Sequence, residues 1–307
     1  MLNAIRSDIK AIVTIPPYAP FIDEVVAHPA VSGVRLNTVM PTKGALEDLL
    51  KRLQDQVGEK DLWIDLKGRQ LRVKTYGVPP FTEIELTHNI SVDTPVTAYF
   101  NDGKEQATVL EVDGNRLIMQ EGPKRVIGPG ESINIPHHSL KIDGNLTTTD
   151  QQYIEAGNKL GLKRYMLSFV ESPDDVSAFN ALVPNAQIVA KIESRKGLNY
   201  VCTDAKKEAR LMAARGDLYI ELKKPHHIIN AMETIIAKDP DAIAASRIFS
   251  SLTYSLEPSC ADIGDVDSLI RIGYKTLMLG DEICQRRESV LSALNLLYEM
   301  NQQYKTK

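Results

Sequence analysis

Arg35 with Asn37, Asp65 with Lys67, Lys191 with Glu193, and Arg215 with Gly216 and Asp217 concentrate groups able to bind an oxyanion or a hard cation. Each set closes a short run of strand-forming residues. An arginine in such a place can fork onto a carboxylate or a phosphate through two parallel N–H donors. In Lys191-Ile192-Glu193 the strand period of two sends the ammonium and the carboxylate to the same side. Asp65-Leu66-Lys67-Gly68 is followed shortly by Arg72. Any one cluster also reads as a solvated strand end, because charged residues commonly finish strands at the surface. Four clusters at equivalent ends are harder to explain so.

The elements that would position them are legible from periodicity. Strand-like runs fall at residues 11–15, 31–37, 62–66, 164–170, 187–193, 211–218, 241–249 and 276–279. Helical period appears between them, for example at 45–56, 150–160, 174–182, 227–237 and 266–272. A last helix at 289–303 is apolar at Val290, Leu291, Leu294, Leu297 and Met300. An open doubly wound sheet would alternate too. Eight βα units in order, ending in a helix, instead predict the α/β class and a closed (β/α)8 TIM barrel. Such barrels assemble their chemistry at the C-terminal ends of the strands, where all four clusters fall.

One stretch breaks the rhythm. Helical period vanishes over residues 73–136, and short strand-like runs appear at 82–88, 96–100, 106–112 and 116–120. Turns are marked by Asn101-Asp102-Gly103 and Asp113-Gly114-Asn115. The expectation is a small all-β domain inserted after the third strand, with residues 1–72 and 137–307 forming the barrel. Its position over the C-terminal face suits a lid, and equally a stabilising or oligomerising decoration.

Composition narrows the function classes. A net charge of −4 over 307 residues gives no basic field for nucleic acid or anionic lipid, so a phosphorylated ligand needs local arginines and lysines. No apolar run reaches membrane-spanning length and the N-terminus has no signal-peptide core, so neither nucleic acid nor membrane is an expected partner. The cysteines are Cys202, Cys260 and Cys284, an odd and widely spaced set that fits reduced thiols and a cytoplasmic location. His137-His138 and His226-His227 lack further ligands at zinc spacing. Gly128-Pro129-Gly130 lacks the Lys-Ser/Thr of a phosphate loop. Lys206-Lys207 and Lys223-Lys224 read as solvated faces.

Taken together, the clusters resemble the pyruvate kinase family. Lys191-Ile192-Glu193 with Ala213-Ala214-Arg215-Gly216-Asp217-Leu218 is similar to that family's KIE…ARGDL pair. Arg35-Leu36-Asn37 resembles the start of its RLNFSH motif, and Ile64-Asp65-Leu66-Lys67-Gly68 with Arg72 its LDTKGPEIR. Ser168-Phe169-Val170 looks like its SFV, Ala245-Ser246 like the start of ATQML, and Met278-Leu279 with Glu282 like MLSGE. The likeness runs along essentially the whole chain and includes the β insertion.

The resemblance implies roles. Glu193 and Asp217 would bind Mg2+ or Mn2+, bridging to the oxygens of phosphoenolpyruvate or pyruvate. Lys191 would place its charge beside the transferring phosphoryl group or the enolate, and Arg35 would hold the phosphoryl group. Backbone N–H groups at Gly216 and Asp217, with Arg72, would serve substrate binding, and Ser246, where the family has Thr, would relay a proton. The implied activity is a Mg2+-dependent phosphotransfer with ADP as acceptor. The alternative is a metal-dependent enolate-type lyase, an aldolase or decarboxylase, that has lost the nucleotide and K+. A catalytically silent binding protein is disfavoured by the converging charges.

Departures carry that alternative. Val39 and Met40 stand where the family has Ser-His, and Leu66 where it has Thr. Of the implied monovalent-cation (K+) ligands only Asn37 and Asp65 remain. Arg69, at the position of the family's Pro, is expected to supply the missing positive charge. Tyr219 replaces a Gly beside the carboxylate pocket, and Glu171 stands for Arg. The family's C-terminal regulatory domain has no counterpart in these residues, so control through it is not expected; homo-oligomerisation stays open.

Overall fold

A computed structural model describes residues 8–203 and 208–305. The chain begins with β1 (Lys10–Thr14), β2 (Val31–Asn37) and β3 (Asp61–Leu66). The insertion follows with β4 (Glu83–Glu85), β5 (Ile90–Ser91), β6 (Val96–Phe100), β7 (Glu105–Asp113), β8 (Arg116–Met119) and β9 (Lys141–Ile142). Then come β10 (Arg164–Leu167), β11 (Gln187–Ile192), β12 (Arg210–Ala214), β13 (Ile243–Ala245) and β14 (Thr276–Leu279). β1, β2, β3 and β10 to β14 pair in parallel and close on themselves through β1 and β14, giving the expected barrel.

Helices cover the outside: α1 (Ile22–Ala27), α2 (Leu46–Val57), α3 (Thr148–Lys159), α4 (Pro173–Leu182), α5 (Arg195–Thr203), α6 (Arg215–Glu221), α7 (His227–Lys238), α8 (Cys260–Ile272), α9 (Asp281–Cys284) and α10 (Arg287–Lys305). α2 buries Leu49, Leu50, Leu53 and Val57, the stripe that its 3.6-residue period dictates. α3 and α4 start at capping boxes, Thr147 with Asp150 and Ser172 with Asp175, and Pro173 opens α4. No helix among the described residues is long and apolar enough to cross a membrane.

Strand alternation sorts the side chains into layers. Ile188, Ala190 and Ile192 of β11 join the core between strands and helices. Val189 points the other way, into a barrel interior shared with Ile12, Trp63, Met166, Met212 and Met278. The same alternation carries Lys191 inward above Val189, and Asp65 above Trp63. Above the apolar plug, the wall near the strand C-termini is therefore polar and charged.

Three sequence expectations change at that wall. The run 211–218 is not one strand: β12 stops at Ala214 and α6 starts at Arg215, with Asp217 in its first turn, where the helix dipole favours an acid. The run 241–249 keeps strand geometry only in β13, because Ser246, Arg247 and Phe249 turn into left-handed φ of 68°, 57° and 52°. β10 ends at Leu167, before Phe169 at φ 52°. Left-handed residues cannot continue a ladder.

Within the insertion, β4, β8, β7 and β6 form an antiparallel sheet around a separate core that includes Phe100, Val109, Leu117 and Ile133. β9, beyond residue 136, pairs with β5, so the antiparallel region takes in residues up to Ile142.

Candidate active site

Asp65 is fully buried at the end of β3 and is ringed by cations. Arg35 donates to it through Nε at 2.8 Å and through Nη2. Lys67 Nζ lies 3.1 Å and Lys191 Nζ 3.3 Å from its oxygens. Burial works against its charge, yet Arg35, Lys191 and Lys67 outweigh that and hold its carboxyl well below the usual range. Lys67 moves the other way: burial first, then Arg72, Lys191 and Arg35, brings its ammonium down to about 7 against the pull of Asp65.

Arg35 also donates to Thr14 Oγ1 at 3.0 Å and to Asp281 at 3.1 Å. Asn37 donates to both Asp281 oxygens at 3.0 Å. The acid that meets Arg35 beyond β14 is thus Asp281, while Glu282, matched by motif, is exposed. The readable signal for Asp281 is an acid just past the end of β14.

Lys191 reaches Ser168 Oγ at 2.7 Å and Glu193 Oε1 at 3.1 Å. Burial opposes its charge, but Asp65 and Glu193 raise its pKa above the ordinary lysine value. Glu193 accepts from the Phe169 N–H at 2.8 Å. Its carboxyl is pushed up to about 7 by burial first, with Asp217 and Asp65 adding to the rise against Lys191 and the Phe169 N–H. Glu193 and Asp217 are therefore electrostatic neighbours on adjacent barrel units.

Asp217 receives Gln70 Nε2 and Asn134 Nδ2, each at 3.0 Å. Asn134 belongs to the inserted region, so that region supplies a direct contact to the acidic pair. Arg72 donates to Gln70 Oε1 at 3.0 Å and to the Gly130 carbonyl; burial lowers its pKa, with Asp217 foremost among the acids that oppose the shift. Neither Gln70 nor Asn134 was singled out by sequence reasoning, since only the fold brings their amides to Asp217.

Gly216 lies in the first turn of α6, and a Cβ there would sit 3.4 Å from Ser246 Oγ. Ser246 is held by Arg215, which donates to its carbonyl at 3.1 and 2.9 Å and forks onto Asp265 at 2.7 and 2.9 Å. Tyr219 carries the Arg247 guanidinium over its ring, 4.3 Å from the centroid. Arg69 does not supply charge at Asp65, contrary to expectation: it pairs with Asp175 at 2.5 Å, because the backbone turn at Gly68 aims it at the start of α4. The ammonium groups beside Asp65 are those of Lys67, which stands at the Lys of the resembled LDTKGPEIR, and Lys191. Asp65 and Asn37, the residues that the resemblance implied for a monovalent cation, are engaged by Arg35, the two lysines and Asp281.

The acidic pair suits a divalent ion. Among the described residues no group of three or more His, Cys, Asp or Glu could hold a metal. Two carboxylates are nevertheless what Mg2+ takes when substrate oxygens and water complete its shell. Burial, and after it the nearby Asp217, makes the charged form of Glu193 costly, a cost that a bound cation would lower.

Comparison with known proteins bears on the same residues. The family described as pyruvate kinase, barrel domain, matches residues 51–287. The chain belongs to the pyruvate kinase family. It is 28% identical over 254 residues to pyruvate kinase 1 of Saccharomyces cerevisiae, covering 71% of this chain and 50% of that one. Against pyruvate kinase of Methanocaldococcus jannaschii the identity is 25% over 272 residues, 82% of this chain and 60% of the relative. The pyruvate kinase of Naumovozyma castellii is 30% identical over 193 residues, 60% of this chain and 38% of its own. The chain thus spans about half the length of these pyruvate kinases.

Proposed function

We propose that this barrel is a Mg2+- or Mn2+-dependent enzyme of enolate chemistry, acting on phosphoenolpyruvate, pyruvate or a close 2-oxo acid. The observation that carries the reading is Lys191, a buried ammonium 3.1 Å from Glu193 and 2.7 Å from Ser168, with Asp217 as Glu193's neighbour. Glu193 and Asp217 would hold the ion, which when bound supplies Lewis-acid stabilisation of charge on the substrate oxygens. Lys191 offers a fixed positive charge in a water-poor site, where such charge acts most strongly on a developing enolate. Amide N–H groups at Gly216 and Asp217 receive the substrate carboxylate, Arg72 completes that side, and the Ser246 hydroxyl moves a proton at substrate carbon 3.

Family membership favours phosphoryl transfer between phosphoenolpyruvate and ADP, with Arg35 on the phosphoryl group. A second reading, a lyase (aldolase or decarboxylase) independent of nucleotide and K+, has an observation of its own: Arg35 is already neutralised by Asp65 and Asp281. Cytoplasmic location and a lid role for the inserted region belong to the same proposal. Coupled assays with phosphoenolpyruvate and a panel of nucleoside diphosphates, with and without K+, separate the two. Exchange of pyruvate methyl protons with solvent, followed by NMR in deuterated buffer with Mg2+, tests what they share. Exchange no faster than in buffer without protein overturns the enolate reading.

A further inference from the structure

Residues 246–249 are more constrained than a connecting loop needs. Ser246, Arg247 and Phe249 all hold left-handed φ, a region that L side chains enter at a cost and that persists only where surroundings enforce it. The enforcement is visible. Arg215, itself buried and forked onto Asp265, donates to the Ser246 carbonyl and, at 3.2 Å, to the Arg247 carbonyl.

The turn presents two side chains side by side against one face of α6. Ser246 Oγ lies against Gly216, and the Arg247 guanidinium lies over Tyr219, three residues further along the helix and so on the same side. Arg247 is exposed and, among the described residues, has no carboxylate at ion-pair distance. An arginine stacked on an aromatic ring is weakly hydrated and pre-oriented, with its N–H fork free for a planar anion.

We infer that Arg247, backed by Tyr219, receives a second carboxylate borne by a substituent on carbon 3, so that the site selects a 2-oxo dicarboxylate over a monocarboxylate. The inference rests on the enolate reading, which sets carbon 3 against Ser246. A substituent on that carbon, leaving Ser246, meets the next side chain of the turn, Arg247. Tyr219 has a part in this beyond bulk, since it fixes the plane in which the guanidinium meets the ligand.

The test is a pair of dissociation constants measured by titration calorimetry with Mg2+ present. 2-Oxoglutarate and 2-oxopentanoate share a five-carbon skeleton and differ in the distal carboxylate. The wild type should bind the diacid about 10-fold tighter or more, the range of a charge-assisted hydrogen bond. In Arg247→Gln, a change at an exposed side chain, that ratio should fall to about one. A wild-type ratio near one, a ratio that survives in Arg247→Gln, or no binding of either acid by a protein that still exchanges pyruvate protons overturns the inference alone. Absence of pyruvate exchange sinks the enolate reading and this inference with it.

Discussion

Lys191 and Asp281 give opposite answers to what a buried charge is for. Lys191 keeps its ammonium in a closed site only because Asp65 and Glu193 face it. Replacement by Met removes the charge that would meet a developing enolate. Lys191→Met should lower pyruvate proton exchange by about 10^2-fold or more while Mn2+ binding, read by electron paramagnetic resonance, persists; undiminished exchange removes Lys191 from the chemistry. Asp281 spends its charge on Arg35 and Asn37. If Arg35 is to grip a phosphoryl group, Asp281 competes with it. Asp281→Asn should therefore tighten phosphoenolpyruvate binding several-fold relative to pyruvate, a ratio that calorimetry reads directly. A ratio that stays put shows that Arg35 is a structural member of the wall.

At the scale of elements, the site depends on how strands hand over to helices. The turn after β3 is stitched to α3 by one carboxylate. Asp150, fully buried, accepts the Lys67 N–H at 2.8 Å, the Gly68 N–H at 3.0 Å and the Thr147 N–H at 2.9 Å, while capping its own helix. Gly68 is required there: φ is 52°, and a Cβ would stand 2.8 Å from the Ser168 carbonyl. Asp150→Ala strands buried donors and removes half of a capping box, with an expected loss of roughly 3 kcal/mol in urea unfolding. A loss below about 0.5 kcal/mol would show that the turn is held by other contacts. Because Lys67 is the first residue of that turn, the same variant should disturb the Asp65 cluster.

On the scale of the whole molecule, the barrel and the inserted region meet at α6 around Asn134. A cavity of about 650 Å3 opens beside this seam, bordered by Asn134, Phe169, Glu171, Arg195 and Glu221. Glu221, buried on the barrel side, has its carboxyl pushed up to about 7, by burial first and then by Asp217 and Glu171, with Asn134 and Arg195 opposing. A carboxyl raised on folding favours the folded state while protonated. That contribution is complete below pH about 4.5 and is lost as pH rises through about 7. Glu221→Gln keeps the neutral form at every pH. Its stability relative to wild type should rise between pH 5 and 8 by roughly 1–3 kcal/mol, measured by denaturant unfolding across that range. A difference independent of pH would mean that Glu221 does not titrate in the seam.

Much of this was written in the sequence because it depends on local period. The strand period puts Lys191 and Glu193 on one side of their run, the four polar clusters fall at strand ends, and eight βα units predict closure. Expectations failed where the backbone leaves regular geometry: at Phe169, Ser246, Arg247 and Phe249, whose positive φ no propensity announces. Sequence also could not show that Arg69 turns to Asp175, that Asp281 rather than Glu282 meets Arg35, or that Gln70 and Asn134 hold Asp217. Those pairings join residues far apart in the chain, and only closure of the barrel with the inserted region against it brings their charges and amides within bonding range. Period and propensity act over a few residues; buried electrostatics acts across the fold, and it decides which of the available charges are spent on each other.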